Sequence, residues 1–315
     1  MTFWLAPLHG ITLYHFRNCL FRHTQLIKTA ITPFLSIQEA TKLNVKKWKD
    51  ILPENNQNMR IIPQLIGNNE THFMDTLHAL SELGYTHFNW NLGCPMNAII
   101  RKKRGCGLMP YPEQIEKVVK RVTDTTSFQL SLKMRLGMYC PTESEEIIQR
   151  MNHYPIENII LHPRLGTQQY EGEPDLDAFD KRCEQSVHPI IYSGDITTSS
   201  FFNYLKNRFS TIEIWMLGRG MLQNPFLAEQ LTLSPQSNIP YKERFFAFYQ
   251  DLVNTFFTYR NEVGTLANLK ELWHYFAIAY QLQEEEKVNL FRINDLDVFL
   301  DKTEKILTLQ KNIYY

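Results

Sequence analysis

The strongest constraint on this chain's fold is an alternation. Eight short apolar runs, at 3–6, 29–32, 61–66, 87–91, 129–134, 158–161, 189–192 and 212–217, are separated by stretches with helical spacing. Phe73, Leu77, Leu80 and Leu83 share one helix face, as do Ile115, Val118, Val119 and Val122; residues 145–151 repeat the theme more weakly. Strands joined through helical crossovers run parallel. Eight such units in roughly 230 residues suit a closed (β/α)8 TIM barrel, whose usual size is about 250 residues. A doubly wound open sheet is the rival topology, but no Gly-x-Gly-x-x-Gly turn follows the first strand. After Leu231 the pattern changes. Residues 234–240 read as a Pro/Ser-containing linker. Beyond it Phe245, Phe248, Tyr249, Leu252 and Phe256, then Leu269, Leu272, Trp273, Phe276 and Tyr280, recur at helical spacing with no strand-like alternation. The expected architecture is α/β: a TIM-barrel catalytic domain over 1–233 and a small C-terminal all-α helical domain over 241–315.

Composition narrows the class. Apolar residues make up 43% of 315, enough for a sizeable core, and 33 Lys/Arg balance 33 Asp/Glu, so total charge neither predicts nor excludes nucleic acid. The five cysteines are odd in number and no pair has Cys-x-x-Cys spacing, which argues against a disulfide framework or a zinc site. Reduced thiols, the absence of a signal-like N-terminus and the absence of a long apolar run point to a cytoplasmic protein, with no membrane association and no metal. A monomer is expected.

In a barrel, chemistry sits at the C-terminal strand ends. Polar or special residues collect there: Pro7 and His9; Gln64; Asn91 and Cys94; Lys133 and Arg135; His162 and Arg164; Gly194 and Asp195; Gly218 and Arg219. The last two loops, Ser193-Gly-Asp195 and Gly218-Arg-Gly220, fall where barrels often bind phosphate; glycines admit an anion close to backbone N–H groups and Arg219 adds a charged fork. The plainer reading is a pair of tight turns. Cys94 alone reads as a small buried hydrophobe. Its place in Asn91-Leu-Gly-Cys-Pro95 argues for exposure, and a free thiol at neutral pH would be a protonated acid rather than a nucleophile. Lys133 and Arg135 share a strand face, either inward with anionic partners or on a solvated rim. Gln64 inside an apolar strand needs buried partners, which a planar heterocycle could supply. His162 read alone is a structural strand-end histidine. Arg101-Lys-Lys-Arg104, the densest basic cluster, is a solvated loop or a phosphate contact.

Taken together, Leu5-Ala-Pro-Leu-His-Gly-Ile-Thr12, Pro63-Gln-Leu-Ile-Gly67, Asn91-Leu-Gly-Cys-Pro95, Lys133-Met-Arg-Leu-Gly137, His162-Pro-Arg164, Gly194-Asp-Ile196 and Gly218-Arg-Gly-Met-Leu-Gln-Asn-Pro225 resemble the bacterial tRNA-dihydrouridine synthases, across the whole barrel and its tail. The resemblance implies bound FMN, with NADPH as electron donor and tRNA as partner. It implies that Pro7, Leu8, His9, Gln64, Lys133, Ser193, Gly194, Asp195, Gly218 and Arg219 hold the flavin, that Asn91 and His162 face the uracil, and that Cys94 is the proton donor. Arg164 and the loop residues Arg101, Lys102, Lys103 and Arg104 are carried as further substrate contacts. The chain departs from the family at Leu8-His9, where Met and an acidic residue are usual, at Leu13 for Asp, and at Ser193 for Asn.

The implied reaction reduces the C5–C6 double bond of a D-loop uridine, with hydride to carbon 6 and a proton to carbon 5. The family assigns tRNA binding to the helical tail, yet 241–315 carries 9 Lys/Arg against 11 Asp/Glu, so contact would need a local patch or the Arg101–Arg104 loop. Two other readings stand beside this one. A dihydroorotate-dehydrogenase-like flavin enzyme would act on a free pyrimidine, against which the tail and basic loop argue. A non-catalytic RNA-binding protein would have no need of Cys94, Lys133 and the flavin loops.

Overall fold

The computed structural model describes residues 1–39, 44, 48–56 and 58–309. Ten parallel strands form one curled sheet: β1 (Thr2–Leu5), β2 (Ile27–Ile31), β3 (Leu35–Ser36), β4 (Arg60–Ile62), β5 (Gln64–Ile66), β6 (His87–Leu92), β7 (Gln129–Gly137), β8 (Ile159–Leu165), β9 (Ile190–Ser193) and β10 (Ile214–Leu217). Their spatial order is β3-β5-β6-β7-β8-β9-β10-β1-β2-β4. The apolar run at 61–66 is one stretch of chain but two strands. Pro63 has no N–H to give a ladder, and it divides the run: Arg60–Ile62 pairs with β2, whereas Gln64–Ile66 pairs with β3 and β6. Its carbonyl accepts from Asn89 N at 3.0 Å. One heptapeptide thus serves both ends of the curled sheet. The short β3 was not legible in the sequence.

Among the described residues, helices alternate with these strands: α1 (Tyr14–His23), α2 (Glu70–Ser81), α3 (Asn97–Ile100), α4 (Pro112–Thr125), α5 (Thr142–Met151), α6 (Leu176–Gln185), α7 (Ser199–Arg208), α8 (Arg219–Gln223) and α9 (Leu227–Thr232). On α4 the four apolar residues read from the sequence are all buried, and Pro112 opens the helix, where its missing N–H costs nothing. Asn69, Asp175 and Thr198 cap α2, α6 and α7 by accepting a backbone N–H. Residues 234–240 hold no helix or strand. They lead into α10 (Tyr241–Tyr259), α11 (Glu262–Ala279), α12 (Glu284–Arg292) and α13 (Leu296–Leu309).

These last helices pack on each other and on the sheet's own helices. Tyr249 Oη meets Thr303 Oγ1 at 2.8 Å, and Trp273 Nε1 donates to Tyr249. Phe248 sets its ring edge-on to Phe16 of α1, and Arg22 holds Asp251 with two bonds of 2.8 Å. One continuous apolar core runs from the outer face of the sheet into α10 and α11. Cys19, His23 and Asp251 lie within 4.8 Å of one another at this seam, with Asp251 accepting from Arg22 as well.

The inner face of the curl is divided. Trp4, Ala6, Ile31, Ile62, Ile160, Ile191 and Met216 form a small apolar cluster of their own. On β5, β6 and β7 the same inner positions hold Gln64, Asn89, Asn91, Ser131 and Lys133 instead, and Gln64, Asn89 and Ser131 are fully buried. That polar half lies directly beneath the candidate site.

Candidate active site

A cavity of about 460 Å³ opens at the C-terminal ends of the strands. It gathers Pro7, Leu8, His9, Asn91, Cys94, Lys133, His162, Ser193, Gly194, Asp195, Gly218 and Arg219 from loops that lie up to 212 residues apart in the chain. Parity explains the selection. Ser131, Lys133 and Arg135 sit on one face of β7, and Ser131 is bonded inward to Asn89, so Lys133 and Arg135 project inward above it.

Three cations, Lys133, Arg135 and Arg219, line this cavity against one carboxylate, Asp195. Asp195 bridges two arginines: Arg164 at 2.5 Å and Arg219. Arg135 donates to the carbonyls of Gly93 (2.9 Å) and Leu165 (2.8 Å). Lys133 is different. Among the described residues no carboxylate pairs with it, and burial, then the nearby Arg135 charge, pulls its pKa down to about 8. A lysine so placed favours an anionic occupant.

Cys94 is half-buried at the cavity wall. Asn91 Oδ1 accepts from Gly93 N (3.1 Å) and Cys94 N (2.9 Å), the side-chain turn that fixes the thiol's direction. Burial raises the thiol pKa; a backbone N–H at Met96 and the charges of Arg135 and Lys133 oppose this only in part. The thiol therefore holds its proton at neutral pH. Its loop folds back on itself: the Cys94 carbonyl accepts from Cys106 N (3.2 Å) and Cys106 Sγ (3.1 Å). Gly105 makes this possible, since it sits at φ +56° and a Cβ there would stand 2.7 Å from the Cys94 carbonyl oxygen.

His162 is buried and neutral. Burial and then the surrounding cations (Arg135, Lys133, Arg164, Arg219) push its pKa well below the usual value. Arg164 Nη1 lies 3.2 Å from His162 Nε2. A guanidinium only donates, so Nε2 accepts and the ring proton sits on Nδ1.

Some residues singled out in the sequence stand elsewhere. Gln64 lies beneath the cavity, with Asn91 between; both ends of its amide are bonded within the protein. Arg164 borders a second, adjoining cavity that reaches α11, and its remaining donors go to the carbonyls of Glu171 and Gly172. Arg101, Lys102 and Lys103 are exposed on the loop after α3, outside the cavity lining, and Lys103 Nζ rests 4.3 Å over the Tyr111 ring. Sequence reasoning missed Tyr170, whose ring lies against Arg135 and Arg219, and Phe34, which stacks on His9 at 4.8 Å. Neither carries a local signal, because each reaches the cavity from a loop without periodicity.

The molecule is a curled parallel α/β sheet whose C-terminal strand ends hold a cavity lined by three cations, one carboxylate and a thiol. Residues 4–311 match the family model described as dihydrouridine synthase (Dus), and the chain belongs to that family. Similar curated proteins include "tRNA-dihydrouridine synthase B" of Pasteurella multocida, 27% identical over 229 residues. That match covers 71% of this chain and 66% of the relative, just short of two thirds of its length. The Escherichia coli protein of the same name is 24% identical, over 72% of this chain and 70% of its own. Among solved structures, histamine dehydrogenase from Rhizobium sp. 4-9 superposes with a TM-score of 0.54 at 11% identity, covering 73% of this chain and 45% of that one. TcOYE with pHBA gives 0.52 at 10% identity, over 79% and 94%. These last two likenesses concern the fold alone. No described helix is long and apolar enough to cross a membrane.

Proposed function

We propose that this protein is a cytoplasmic tRNA-dihydrouridine synthase that reduces the C5–C6 bond of a D-loop uridine. In this reading the curled sheet is a (β/α)8 barrel, the run 60–66 acting as its eighth stave, over a catalytic domain of 1–233. The helices of 241–315 form a tRNA-binding domain. The observation that carries the reading is Cys94: a thiol kept protonated by burial, its loop held by Asn91, in the same cavity as Lys133, which no described carboxylate pairs.

The residues present fit FMN. Three cations against one carboxylate leave the cavity short of negative charge, which a phosphate-bearing flavin supplies. Ser193, Gly194, Asp195, Gly218 and Arg219 would hold the phosphate end, and Pro7, Leu8, His9 and Lys133 the ring system; Gln64 acts from behind through Asn91. When bound, FMN supplies the hydride, drawn from NADPH. The chain's own residues do the rest. Lys133 places positive charge where negative charge collects. Asn91 and the Nδ1–H of neutral His162 donate toward the uracil's polar edge, and Arg164 fixes that tautomer. Cys94 Sγ delivers its proton to carbon 5 as negative charge develops there, general-acid catalysis worth about 10²- to 10⁴-fold. The uridine must leave the RNA interior to reach the thiol, and Arg101, Lys102, Lys103 and Arg104 would meet phosphates of the RNA outside the cavity.

The test is direct. Wild-type protein with FMN and NADPH should form dihydrouridine in unmodified tRNA, measured by mass spectrometry of nucleosides. Cys94→Ala should bind FMN normally and lose product by about 10²-fold or more. Wild-type yield from Cys94→Ala would refute the proton-donor role.

A further inference from the structure

We infer that Asn89 and Ser131, buried side chains outside the lining of the cavities described above, are positioning residues for Cys94, acting through one directional chain of hydrogen bonds. Starting from the thiol loop, Cys94 N donates to Asn91 Oδ1 (2.9 Å). Asn91 Nδ2 donates to Gln64 Oε1 (2.8 Å), and Gln64 Nε2 to Asn89 Oδ1 (2.7 Å). Asn89 Nδ2 then donates to Ser131 Oγ (2.9 Å), whose hydroxyl donates to the Phe88 carbonyl (3.2 Å).

Amide oxygen and nitrogen are alike in shape, so an amide's direction is usually a choice. Here it is forced. A backbone N–H only donates, so Asn91 must turn its oxygen to Cys94. Its nitrogen then requires the Gln64 oxygen, and the requirement passes along to Ser131. The far end is a backbone carbonyl, which only accepts, and it matches. Reversing any single amide would set two donors or two acceptors face to face among side chains shut off from the surface, where an unmet polar group is costly. Each bond also polarises the next, which strengthens the grip at the Cys94 end. The strand register builds the chain: Gln64 lies beside Asn89, and Asn89 beside Ser131. The opposite half of the same interior is packed with apolar residues, so polarity is not needed to fill the space. Within the cavity lining, the chain ends at Asn91, and through it at the thiol's loop.

The positional part stands on these bonds alone; its effect on turnover rests on the function proposed above. The experiment uses full-length Asn89→Leu, Asn89→Asp and Ser131→Ala. The readouts are hydrogen exchange of peptides spanning residues 91–96 and the iodoacetamide labelling rate of Cys94, with circular dichroism to verify folding. Loss of one hydrogen bond's worth of restraint should speed both in Asn89→Leu by about two- to ten-fold. Asn89→Asp should stay within about twofold of wild type, because in this fully buried site its carboxyl holds a proton, so that one oxygen accepts from Gln64 and the O–H donates to Ser131. In Asn89→Leu, reoxidation by tRNA should slow more than flavin reduction by NADPH does. A folded Asn89→Leu with wild-type exchange and labelling, or an Asn89→Asp as fast as Asn89→Leu, overturns the inference. Should Asn89→Leu fail to fold, Ser131→Ala decides: faster exchange supports the chain and unchanged exchange overturns it. Faster exchange in a protein that forms no dihydrouridine even as wild type would keep the positional inference and sink the proposed function.

Discussion

Replacing Lys133 by methionine should stabilise the flavin-free protein. The amine's pKa falls from its ordinary 10.5 to about 8 because charging it costs desolvation, and then repulsion from Arg135, that no described carboxylate repays. The difference, 10.5 − 8, is 2.5 units, which at about 1.4 kcal/mol each sets a ceiling of roughly 3 kcal/mol. The cavity mouth admits water, so a measured gain of about 1–3 kcal/mol is expected. The sign follows from linkage. Between the two pKa values the unfolded chain binds the proton and the folded chain does not, so stability falls as pH drops from about 10.5 to about 8 and then levels. Lys133→Met removes this loss. Its advantage should be full at pH 7 and vanish above pH 10.5. Methionine keeps the length and flexibility of the stem, so packing changes little. Urea unfolding at pH 7 and pH 10.5 measures it, as an upward midpoint shift of roughly 0.3–1 M at the lower pH only. The same variant should bind FMN about 10- to 100-fold more weakly, since a charge-assisted contact is worth roughly 1.5–3 kcal/mol. A destabilised Lys133→Met at pH 7, or a gain that persists at pH 10.5, would show that desolvation of this amine is not what the cavity holds in reserve.

Neutralising Arg101, Lys102, Lys103 and Arg104 should weaken tRNA binding and flatten its dependence on salt; an unchanged slope in a filter-binding titration would assign the loop to solvent. Gly105→Ala should cost about 1–3 kcal/mol in a denaturation series, because its φ of +56° and the 2.7 Å approach to the Cys94 carbonyl both exclude a Cβ; wild-type stability would contradict the loop geometry. Because burial and neighbouring cations hold His162 neutral, its pKa lies well below the usual value, and the pH–rate profile should carry no histidine limb near 6.5. A limb there that disappears in His162→Asn would refute that assignment.

The strand-end rule found most of the cavity because strand parity and loop position are local properties. Cys94, Lys133, His162 and the two glycine loops all lie where alternation places them. What the sequence withheld is pairwise. Gln64 was legible as an amide that needs partners, but its partners Asn91 and Asn89 depend on register between strands that are 25–27 residues apart. Lys133 and Arg135 were legible as a same-face pair; only the bond from Asn89 to Ser131 beneath them says that the face is inward. Arg164 looked like a substrate contact at a strand end. Folding ties it to Asp195, 31 residues on, and to loop carbonyls. The split at Pro63 was latent in a proline inside a strand, yet which neighbour each half takes is a matter of how the sheet curls.

Strand β1 has one neighbour close to it in sequence and the other far away. β1 lies between β2 and β10, with Thr2 opposite Ile214. During vectorial synthesis the first strand therefore leaves the ribosome and must wait for more than two hundred further residues before its second edge is covered. Until then Phe3 and Leu5, both destined for the core, belong to an open edge of the kind that recruits other chains. Folding of this protein should accordingly be slow and strongly dependent on chaperones. Interruption of synthesis before residue 214 should give aggregates rather than a soluble intermediate.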